Sequence, residues 1–411
     1  MRNRMVKEKR LGIAILAIAL TALLVLTACA PRPIVEEKTA QFGWILPITG
    51  AASTAIGAVL SGGGDYIRYF NEQEAIPGVP IELLWRDTAF TFALGRSHYE
   101  RLVEAGVPLI GAVESPLLLG LKGRFERDEV VAFVTGSAYH EELYPEPGWI
   151  YTMTPLMSEQ AAVLFQYFME NWKEERPPRL ALLGIDAPFG YDVRYATEYA
   201  RSLGFEVLPP EIVPIIVLDA TAQLLRLKEL EADLVHIQSL PEGTGPILRD
   251  AERLGLLDEF QFAGHSSTMG DRTMKLAGAA TEGFLISLPY PWFSETEVPG
   301  IKLMIDNMMK YHGEVRRDGE YFFGWVSAAI ICEAMRRAIE NVGYENLDGR
   351  AIKEALDGMK DFDVYGLASI TYKPGDHRGA TRMAVYEVRG GEIVRVSDWQ
   401  EAPSGRDWKF E

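Results

Sequence analysis

The sequence contains few of the residues that build metal centres and disulfides. It has two cysteines and six histidines among 411 residues. The histidines form no His-x-x-x-His pair and no Cys/His cluster, so a metal site has little support. No Gly-x-Ser-x-Gly elbow occurs, and no spacing brings a nucleophile and a base together as a hydrolase requires. We therefore expect neither catalysis nor a cofactor.

The scarcity of cysteine also limits how the fold is stabilised. If Cys29 carries a lipid, as argued below, Cys332 has no partner for an intramolecular disulfide, and stability must come from burial of a core. Cys332 ends the apolar helical stretch 326–332. A buried structural thiol is the better interpretation there than a reactive one.

The N-terminus has the layout of a secretory signal. Basic residues cluster in the first ten positions, and Leu11 to Leu26 carry no charge. Leu26-Thr27-Ala28-Cys29 then specifies cleavage before Cys29 and a lipid on that cysteine. The alternative is an uncleaved anchor, because the uncharged run from Leu11 to Ala30 could just span a bilayer core of roughly 30 Å. In either case the rest of the chain is expected outside the cytoplasmic membrane.

The charge of the chain is strongly acidic. The formal net charge of the whole chain is −17. Loss of residues 1–28 removes five basic residues and one acidic residue, so the mature protein is four units more negative. This balance argues against nucleic acid and against broad contact with anionic lipid, because both partners need a positive face.

The length of the mature chain indicates two lobes. At about 380 residues it exceeds one compact core, which usually stops growing near 250–300 residues. Residues 30–41 contain prolines and several charges without apolar periodicity, which predicts a tether between the lipid and the folded part. The globular part is expected to begin near Phe42.

Short apolar runs alternate with helical patterns over most of the folded part, which predicts βαβ units and parallel sheets. The first series has strands at 42–47, 81–85, 109–113 and 130–134, with helices near 57–74, 91–105 and 116–127. The second series has strands at 179–184, 205–208, 234–237 and 260–263, with helices near 158–174, 190–203, 220–230 and 243–254. The predicted fold class is α/β, with two doubly wound parallel-sheet lobes.

The last third of the chain has a different order. Helical patterns near 298–313, 321–342 and 350–359 precede strand-like runs at 369–372, 383–388 and 393–396. We expect these elements to complete the two lobes, with crossings at 152–155, 287–291 and around 367–370 that form a hinge. The predicted first lobe is 42–154 plus 288–368, and the predicted second lobe is 155–287 plus 369–411.

Two features of the sequence each allow a functional and a structural interpretation. The run Ser61-Gly62-Gly63-Gly64-Asp65 lacks the Lys and Ser/Thr of a P-loop and lies inside a helical pattern, so close helix packing explains its glycines better. His236 and His265 stand at the ends of predicted strands, where α/β sheets bind ligands. Each either lines a pocket or simply ends a strand.

The turn Gly111-Ala112-Val113-Glu114-Ser115-Pro116 is the strongest candidate site. A strand ends there and a helix begins, with Ser115 predicted as the cap and Pro116 in the first helical position. The N-terminus of such a helix presents free N–H groups and partial positive charge, which suit a carboxylate, with the Ser115 hydroxyl as an added donor. The alternative is that Ser115 only caps its own helix.

Other candidates follow neighbouring strands. The loop Thr135-Gly136-Ser137-Ala138 repeats the pattern after the next strand, and two adjacent loops can clamp a carboxylate. Phe189, after the first strand of the second lobe, would face the cleft and form a wall for an apolar or flat ligand. Tyr290, Trp292 and Phe293, beside a predicted crossing, would either enclose a ligand or pack the hinge.

These segments, taken in order, resemble a known family. The relevant residues are Ile48-Thr49-Gly50, Asn71 with Pro77-Gly78, Arg86-Asp87-Thr88, the turn 111–115, the segment 186–190, and Asp219 before Ala222-Gln223-Leu224. They resemble the branched-chain amino acid (leucine/isoleucine/valine) binding protein family, the type I periplasmic solute-binding proteins of ABC transporters. The similarity runs from about Phe42 to Val396.

The resemblance implies two α/β lobes joined by three crossovers, with the ligand trapped by hinge closure. It implies that the ligand carboxylate is held by Ser115 and by the loop of Gly136, Ser137 and Ala138. It also implies an aromatic contact from Phe189, and an opposite wall formed by Ser239, Leu240 and Ser266.

One position departs from the resemblance. Amino-acid binders of this family place an acidic residue near Ser266 to pair with the ligand ammonium, whereas this segment is Gly264-His265-Ser266-Ser267. A buried ammonium without a counter-charge costs several kcal/mol. Binding of an α-amino acid therefore requires that Asp87, Glu114, Glu242 or another acid contact its ammonium group. Amine-free acids and amides are the alternative ligands.

We therefore expect a lipid-anchored, extracytoplasmic receptor that binds a small solute and delivers it to an ABC permease in the membrane. It is expected to be a monomer and no enzyme. The alternative is a ligand-sensing module for a membrane receptor or signalling partner, since the same fold is used both ways.

Overall fold

The computed structural model describes residues 38–50 and 53–410. The predicted signal segment and Cys29 lie outside the described residues. The first strand begins at Ala40, slightly before the predicted start near Phe42. It begins there because Ala40 is already buried and pairs with Ile81 of the neighbouring strand.

The first sheet is formed by the N-terminal part of the chain. Its strands are β1 (Ala40–Leu46), β2 (Ile81–Asp87), β3 (Leu109–Ala112), β4 (Val131–Val134) and β5 (Ile150–Thr152). Its helices are α1 (Ser53–Glu72), α2 (Phe92–Glu104), α3 (Ser115–Arg127) and α4 (His140–Leu143). The strand order is β2-β1-β3-β4-β5, and every pair is parallel. Every residue of β3 and β4 is buried, which explains their continuous apolar sequence.

The second sheet follows along the chain. Its strands begin with β6 (Arg179–Ile185), β7 (Glu206–Val207), β8 (Glu211–Val213), β9 (Leu234–Gln238), β10 (Gln261–Gly264) and β11 (Leu285–Leu288). Its helices are α5 (Met157–Asn171), α6 (Pro188–Tyr191), α7 (Thr197–Leu203), α8 (Thr221–Glu229), α9 (Pro241–Arg253) and α10 (Asp271–Ala277). The predicted α/β class with two mainly parallel sheets is confirmed.

The last third supplies helices that pack against the first lobe and strands that extend the second sheet. Its helices are α11 (Pro299–His312), α12 (Gly319–Val342) and α13 (Gly349–Asp357). Its strands are β12 (Phe362–Asp363), β13 (Ser369–Ile370), β14 (Arg382–Arg389), β15 (Glu392–Arg395) and β16 (Gln400–Glu401). The second sheet has the order β15-β14-β11-β10-β9-β6-β7, and β14 joins it antiparallel to β11. Only the first two residues of the predicted strand 369–372 are paired, and they form a small hairpin with β12. The predicted limits of the two lobes stay a prediction.

Helices α1 and α12 approach each other at glycines. A Cβ on Gly324 would lie 1.9 Å from the backbone oxygen of Val59, and a Cβ on Gly62 would lie 2.1 Å from the backbone oxygen of Tyr321. Close packing is thus the role of Gly62, as predicted. Cys332 lies on α12 and is fully buried, where burial raises the pKa of its thiol, in agreement with a structural role.

The chain passes between the lobes from β5 to α5, from β11 to α11 and from β13 to β14. The first and third crossings run side by side, since Thr152 N donates to His377 O at 3.0 Å and Gly379 N donates to Thr152 O at 2.8 Å. At the second crossing, Tyr290 stacks on Phe322 with a ring separation of 3.7 Å. These contacts form the hinge beneath the cleft.

Among the described helices, none combines the length with the apolar character that crossing a bilayer demands.

Candidate functional site

A cleft lies between the two lobes at the carboxyl ends of the strands, where α/β sheets bind ligands. Its volume is about 130 Å³. An apolar cavity of about 150 Å³ holds a benzene molecule, so the cleft suits a small solute. Strand ends, and the first turns of helices from both lobes, line it.

The start of α3 forms part of the first-lobe wall. Glu114, Ser115 and Pro116 all line the cleft. We predicted Ser115 as the helix cap, but Glu114 occupies that position and Ser115 is the first helical residue. The carbonyl of Glu114 accepts the N–H groups of Leu117 and Leu118. Because Glu114 is the N-cap residue, the Ser115 hydroxyl is not needed to cap the helix.

The loop after β4 lies beside this turn. Thr135, Gly136 and Ser137 line the cleft, whereas Ala138 is fully buried and does not. The Ser137 hydroxyl accepts a hydrogen bond from Gln160 Nε2 at 2.5 Å. Gly136 has a φ of 140°, a left-handed conformation that favours glycine at this position.

Gln160 connects the two walls of the cleft. In addition to Ser137, its side chain contacts Ser266, whose hydroxyl donates to Gln160 Oε1 at 2.8 Å. Ser266 is therefore engaged with a buried amide and lies outside the cleft lining, which includes Ser267 instead. The structure thus places the predicted Ser266 behind the wall.

The second-lobe wall begins at Phe189. Its backbone oxygen accepts a hydrogen bond from Gln238 Nε2 at 3.1 Å, and its ring meets the ring of His265 edge to face at 5.1 Å. Phe189 lines the cleft together with Ala187 and Pro188. Packing against His265 and the bond from Gln238 therefore position this aromatic side chain at the cleft.

The two histidines predicted at strand ends lie inside the second lobe and not at the cleft surface. His236 and His265 are fully buried, and neither lines the cleft. Burial lowers the pKa of His236 to about 4 and that of His265 to about 3, so both are neutral at physiological pH. Their structural interpretation is the correct one.

Trp292 also lies outside the cleft. It is fully buried at the second crossing, with its ring 5.3 Å from that of Phe293 and 6.5 Å from that of Tyr290. These three aromatic residues pack the hinge, which is the alternative that the sequence left open.

The start of α9 supplies the rest of the second-lobe wall. Ser239, Leu240 and Glu242 line the cleft. Glu242 Oε1 accepts a hydrogen bond from Arg272 Nε at 2.6 Å. Its Oε2 is buried without a hydrogen-bond partner among the residues that the structure describes.

The start of α12 brings two residues that sequence reasoning missed, Glu320 and Phe323. Glu320 is only 6 % exposed, and its Oε1 has no hydrogen-bond partner within the described part of the chain. Burial raises the pKa of Glu320 well above its ordinary value, and Asp318 adds to the rise. The available sequence signal was an acid in the first turn of a helix that follows a predicted crossing.

Two further acids belong to the first-lobe wall. Glu114 Oε2 accepts a hydrogen bond from Thr88 Oγ1 at 2.7 Å, and burial raises the pKa of Glu114. Behind Ser115 lies Glu142, whose pKa is raised to about 8 by burial while the Ser115 hydroxyl acts in the opposite direction. The protonation of Glu142 therefore bears on the group that we assign to ligand binding.

The site is suited to binding. Helix N-termini supply donors for an anion, Glu114, Glu242 and Glu320 supply acceptors, and Phe189 and Phe323 supply apolar surface. Within residues 38–50 and 53–410, no group of three or more His, Cys, Asp or Glu side chains could hold a metal ion.

Two α/β lobes with a cleft between the carboxyl edges of their sheets define a solute-binding fold of type I. A model of the periplasmic binding protein family matches residues 39–392. The chain belongs to this family and is a solute-binding protein. A search of curated proteins gave no match.

Solved structures of ABC transporter components are similar over almost the whole chain. A branched-chain amino acid ABC transporter from Thermus thermophilus with bound valine is 27% identical, with a TM-score of 0.82 over 89% of this chain and 97% of that chain. A fatty acid ABC transporter substrate-binding protein from Thermomonospora curvata is 20% identical, with a TM-score of 0.80 over 92% and 96% of the two chains. A solute-binding protein from Rhodopseudomonas palustris in complex with 3,4-dihydroxybenzoic acid is 18% identical, with a TM-score of 0.75 over 89% and 98%.

Proposed function

We propose that this chain is a lipid-anchored, extracytoplasmic protein that closes around a small carboxylate, amide or amino acid and delivers it to an ABC permease. The observation that carries the proposal is the cleft at the carboxyl ends of both sheets, with Ser115 and the N-terminus of α3 in its wall. A helix N-terminus with free N–H groups and a nearby hydroxyl favours a carboxylate.

The ligands of similar proteins support a carboxylate. Valine and 3,4-dihydroxybenzoic acid occur in two of the similar structures, and the third protein is named for fatty acids. The three kinds of ligand share a carboxyl group and differ in the remainder. This agrees with a common anion wall at Ser115 and with apolar walls, here Phe189 and Phe323, that vary between proteins.

The hinge supports capture by closure. The cleft has one wall in each lobe, and the connections between the lobes lie beneath it. Such an arrangement allows rigid lobes to rotate around a solute. Cys29, with its lipid, and the tether that follows would keep the closed protein near the permease.

A thermal-shift screen tests the proposal. The full-length protein in detergent is heated with short-chain and aromatic carboxylates, their amides and amino acids, and with alcohols of the same size as controls. A solute that binds only the folded state raises the melting temperature, with a gain of about 2.7 kcal/mol at a hundred times its Kd. We expect carboxylates, amides or amino acids to raise it and the alcohols to leave it unchanged. A folded protein that responds to none of them would refute the proposed function.

A further inference from the structure

Two carboxylates from different lobes lie at the same cleft with an unused acceptor each. Glu242 is the second residue of α9, and Glu320 is the second residue of α12. Both line the cleft. Oε2 of Glu242 and Oε1 of Glu320 are buried and lack a hydrogen-bond partner in the part of the chain that the structure describes.

A buried carboxylate oxygen without a partner is costly, and native proteins rarely retain one without a reason. Glu320 is 6 % exposed, so water is largely excluded from its carboxyl group. The N-terminus of α12 favours a negative charge at this position, but no side chain described by the structure donates to the unused oxygen. Either a proton or a ligand group must satisfy it.

The neighbouring charges leave this part of the cleft with an excess of acid. Arg272 faces Glu320 but is already bound to Glu242, with 2.6 Å between its Nε and Oε1. Asp318 adds a further negative charge next to Glu320. Arg317 is paired with Asp271 at 3.0 Å and with Glu392 at 2.6 Å. Arg272 is thus the guanidinium shared by Glu242 and Glu320, and Arg316, which also acts on Asp318, is paired with Glu314.

We propose that Glu242 and Glu320 form a cation subsite for the primary ammonium group of the transported solute. The inference rests on the proposed function and specifies its substrate class, an amine-bearing carboxylate. Each glutamate has one free oxygen for an N–H donor, and the ligand carboxylate is left to Ser115 and the start of α3 on the first-lobe wall. The missing acid at Ser266 is thereby replaced by acids from two other elements.

The position of the pair couples recognition to closure. Glu242 belongs to the second lobe, and Glu320 begins the helix that packs on α1 of the first lobe. An ammonium group held between them attracts both carboxyl groups and favours the ionised form of Glu320, which burial otherwise disfavours. A solute without the amine leaves both buried carboxylate oxygens without a donor, so the subsite selects for amines and against plain acids.

Matched solutes test the subsite. L-valine, L-leucine and L-phenylalanine are titrated calorimetrically into the full-length protein, and so are 3-methylbutanoate, 4-methylpentanoate and 3-phenylpropanoate, which lack only the amine. We expect at least one amino acid to bind about tenfold or more tightly than its amine-free partner. Glu320→Gln and Glu242→Gln should each weaken the amino acid by about tenfold and change the amine-free acid by less than about twofold.

Two further measurements separate binding from folding. Glu340→Gln removes an exposed acid from the same helix and should leave every affinity unchanged. Glu320→Gln should leave the melting temperature of the ligand-free protein unchanged or higher, because it replaces a buried carboxyl group that has an unpartnered oxygen by an amide that cannot ionise. A purely structural Glu320 would instead lower the melting temperature while the affinity for amino acids stayed the same.

Four outcomes would overturn the proposal. Amine-free acids that bind as tightly as their amino acids show that no ammonium is recognised, although the proposed function would stand. If both glutamine variants still bind amino acids more tightly than amine-free acids, the ligand ammonium binds elsewhere. A melting shift with calcium chloride alone that both glutamine variants abolish assigns the two glutamates to a metal ion. If no compound of either series and no solute of the thermal-shift screen binds, the proposed function itself is refuted and the subsite with it.

Discussion

Arg378 donates from Nη1 to Oε1 of Glu159 at 2.5 Å, and the two side chains are 8% and 0% exposed. Glu159 also accepts the backbone N–H groups of Leu156 at 2.9 Å and of Gly405 at 2.7 Å. One carboxylate therefore joins the first crossing, the third crossing and the C-terminal segment. The first and third crossings are thereby held in register where they run between the lobes.

Arg378→Met should destabilise the protein, because it leaves the Glu159 charge buried without its guanidinium. Loss of one partner of a buried pair typically costs 3–5 kcal/mol, and we expect about 3 kcal/mol here, since two backbone donors remain on Glu159. Urea denaturation measures the loss. Lys302→Met is the control, because Lys302 and Asp306 form an ion pair whose side chains are 69% and 60% exposed, worth less than about 0.5 kcal/mol. Equal losses in the two variants would contradict the role of the hinge pair.

Two glycines of the same tripeptide should respond oppositely to alanine. A Cβ on Gly62 would lie 2.1 Å from the Tyr321 backbone oxygen, whereas a Cβ on Gly64 meets nothing within 4 Å. Gly62→Ala should force α1 away from α12 and lower the free energy of unfolding by about 1–3 kcal/mol. Gly64→Ala should raise it by about 0.5–1 kcal/mol, because alanine favours the helix. Thermal melting of both variants measures these changes. Melting temperatures that shift in the same direction would refute the close approach of α1 and α12 at Gly62.

Ser115→Ala tests the anion wall. If the hydroxyl donates to the ligand carboxylate, the variant should bind that ligand about tenfold more weakly, since a hydrogen bond to a charged group is worth about 1.5–3 kcal/mol. The fold should persist, because the cap of α3 is residue 114. Ser61→Ala, on an exposed part of α1, is the control. Titration of a carboxylate found in the thermal-shift screen decides the matter, and unchanged affinity would remove Ser115 from the site.

The lipid anchor is tested at Cys29. Mass spectrometry of the protein purified from membranes should find Cys29 as the first residue, with a mass increase that corresponds to acyl chains. Cys29→Ser should abolish the increase, because serine offers no thiol for the lipid. A wild-type chain that retains residues 1–28 would instead identify the segment as an uncleaved anchor.

Much of the architecture could be predicted because its elements have strong local patterns. The strands β3 and β4 are fully buried apolar runs, and β9 is fully buried and apolar except for His236 and Gln238. Turn residues bound all three. The strands that we missed include β5 and β8, with three residues each, and β12 and β16, with two each, which is too short for a recognisable alternation. β11 was missed as well, because four buried residues beside a predicted crossing resembled part of the connection.

The candidate site was predictable only where it follows a strand. Ser115, Gly136, Ser137, Phe189 and Ser239 meet at the cleft because the carboxyl ends of parallel strands share one edge. A shift of one position along a turn decides between lining and burial, which is why Ser267 lines the cleft and Ser266 does not. Glu320 reaches the site through the path of a crossing, and no local pattern encodes that path.

The protonation of Glu142 gives the last prediction. Burial raises its pKa from 4.5 to about 8 in the folded protein, so between these values the folded chain retains a proton that the unfolded chain has lost. Its contribution to stability is therefore complete below about pH 4.5 and is lost as the pH rises toward 8. The loss is at most about 1.4 kcal/mol for each pH unit.

Glu142→Gln keeps an acceptor for the Tyr139 N–H but cannot ionise. The free energy of unfolding of this variant should therefore exceed that of the wild type by a margin that grows from acid to neutral pH. Urea denaturation across this range measures the margin, and Glu141→Gln, at the exposed neighbouring position, should show none. A margin that shrinks with rising pH would mean that Glu142 is ionised in the folded protein. The Ser115 hydroxyl would then lie beside a fixed negative charge, which would disfavour a carboxylate ligand there.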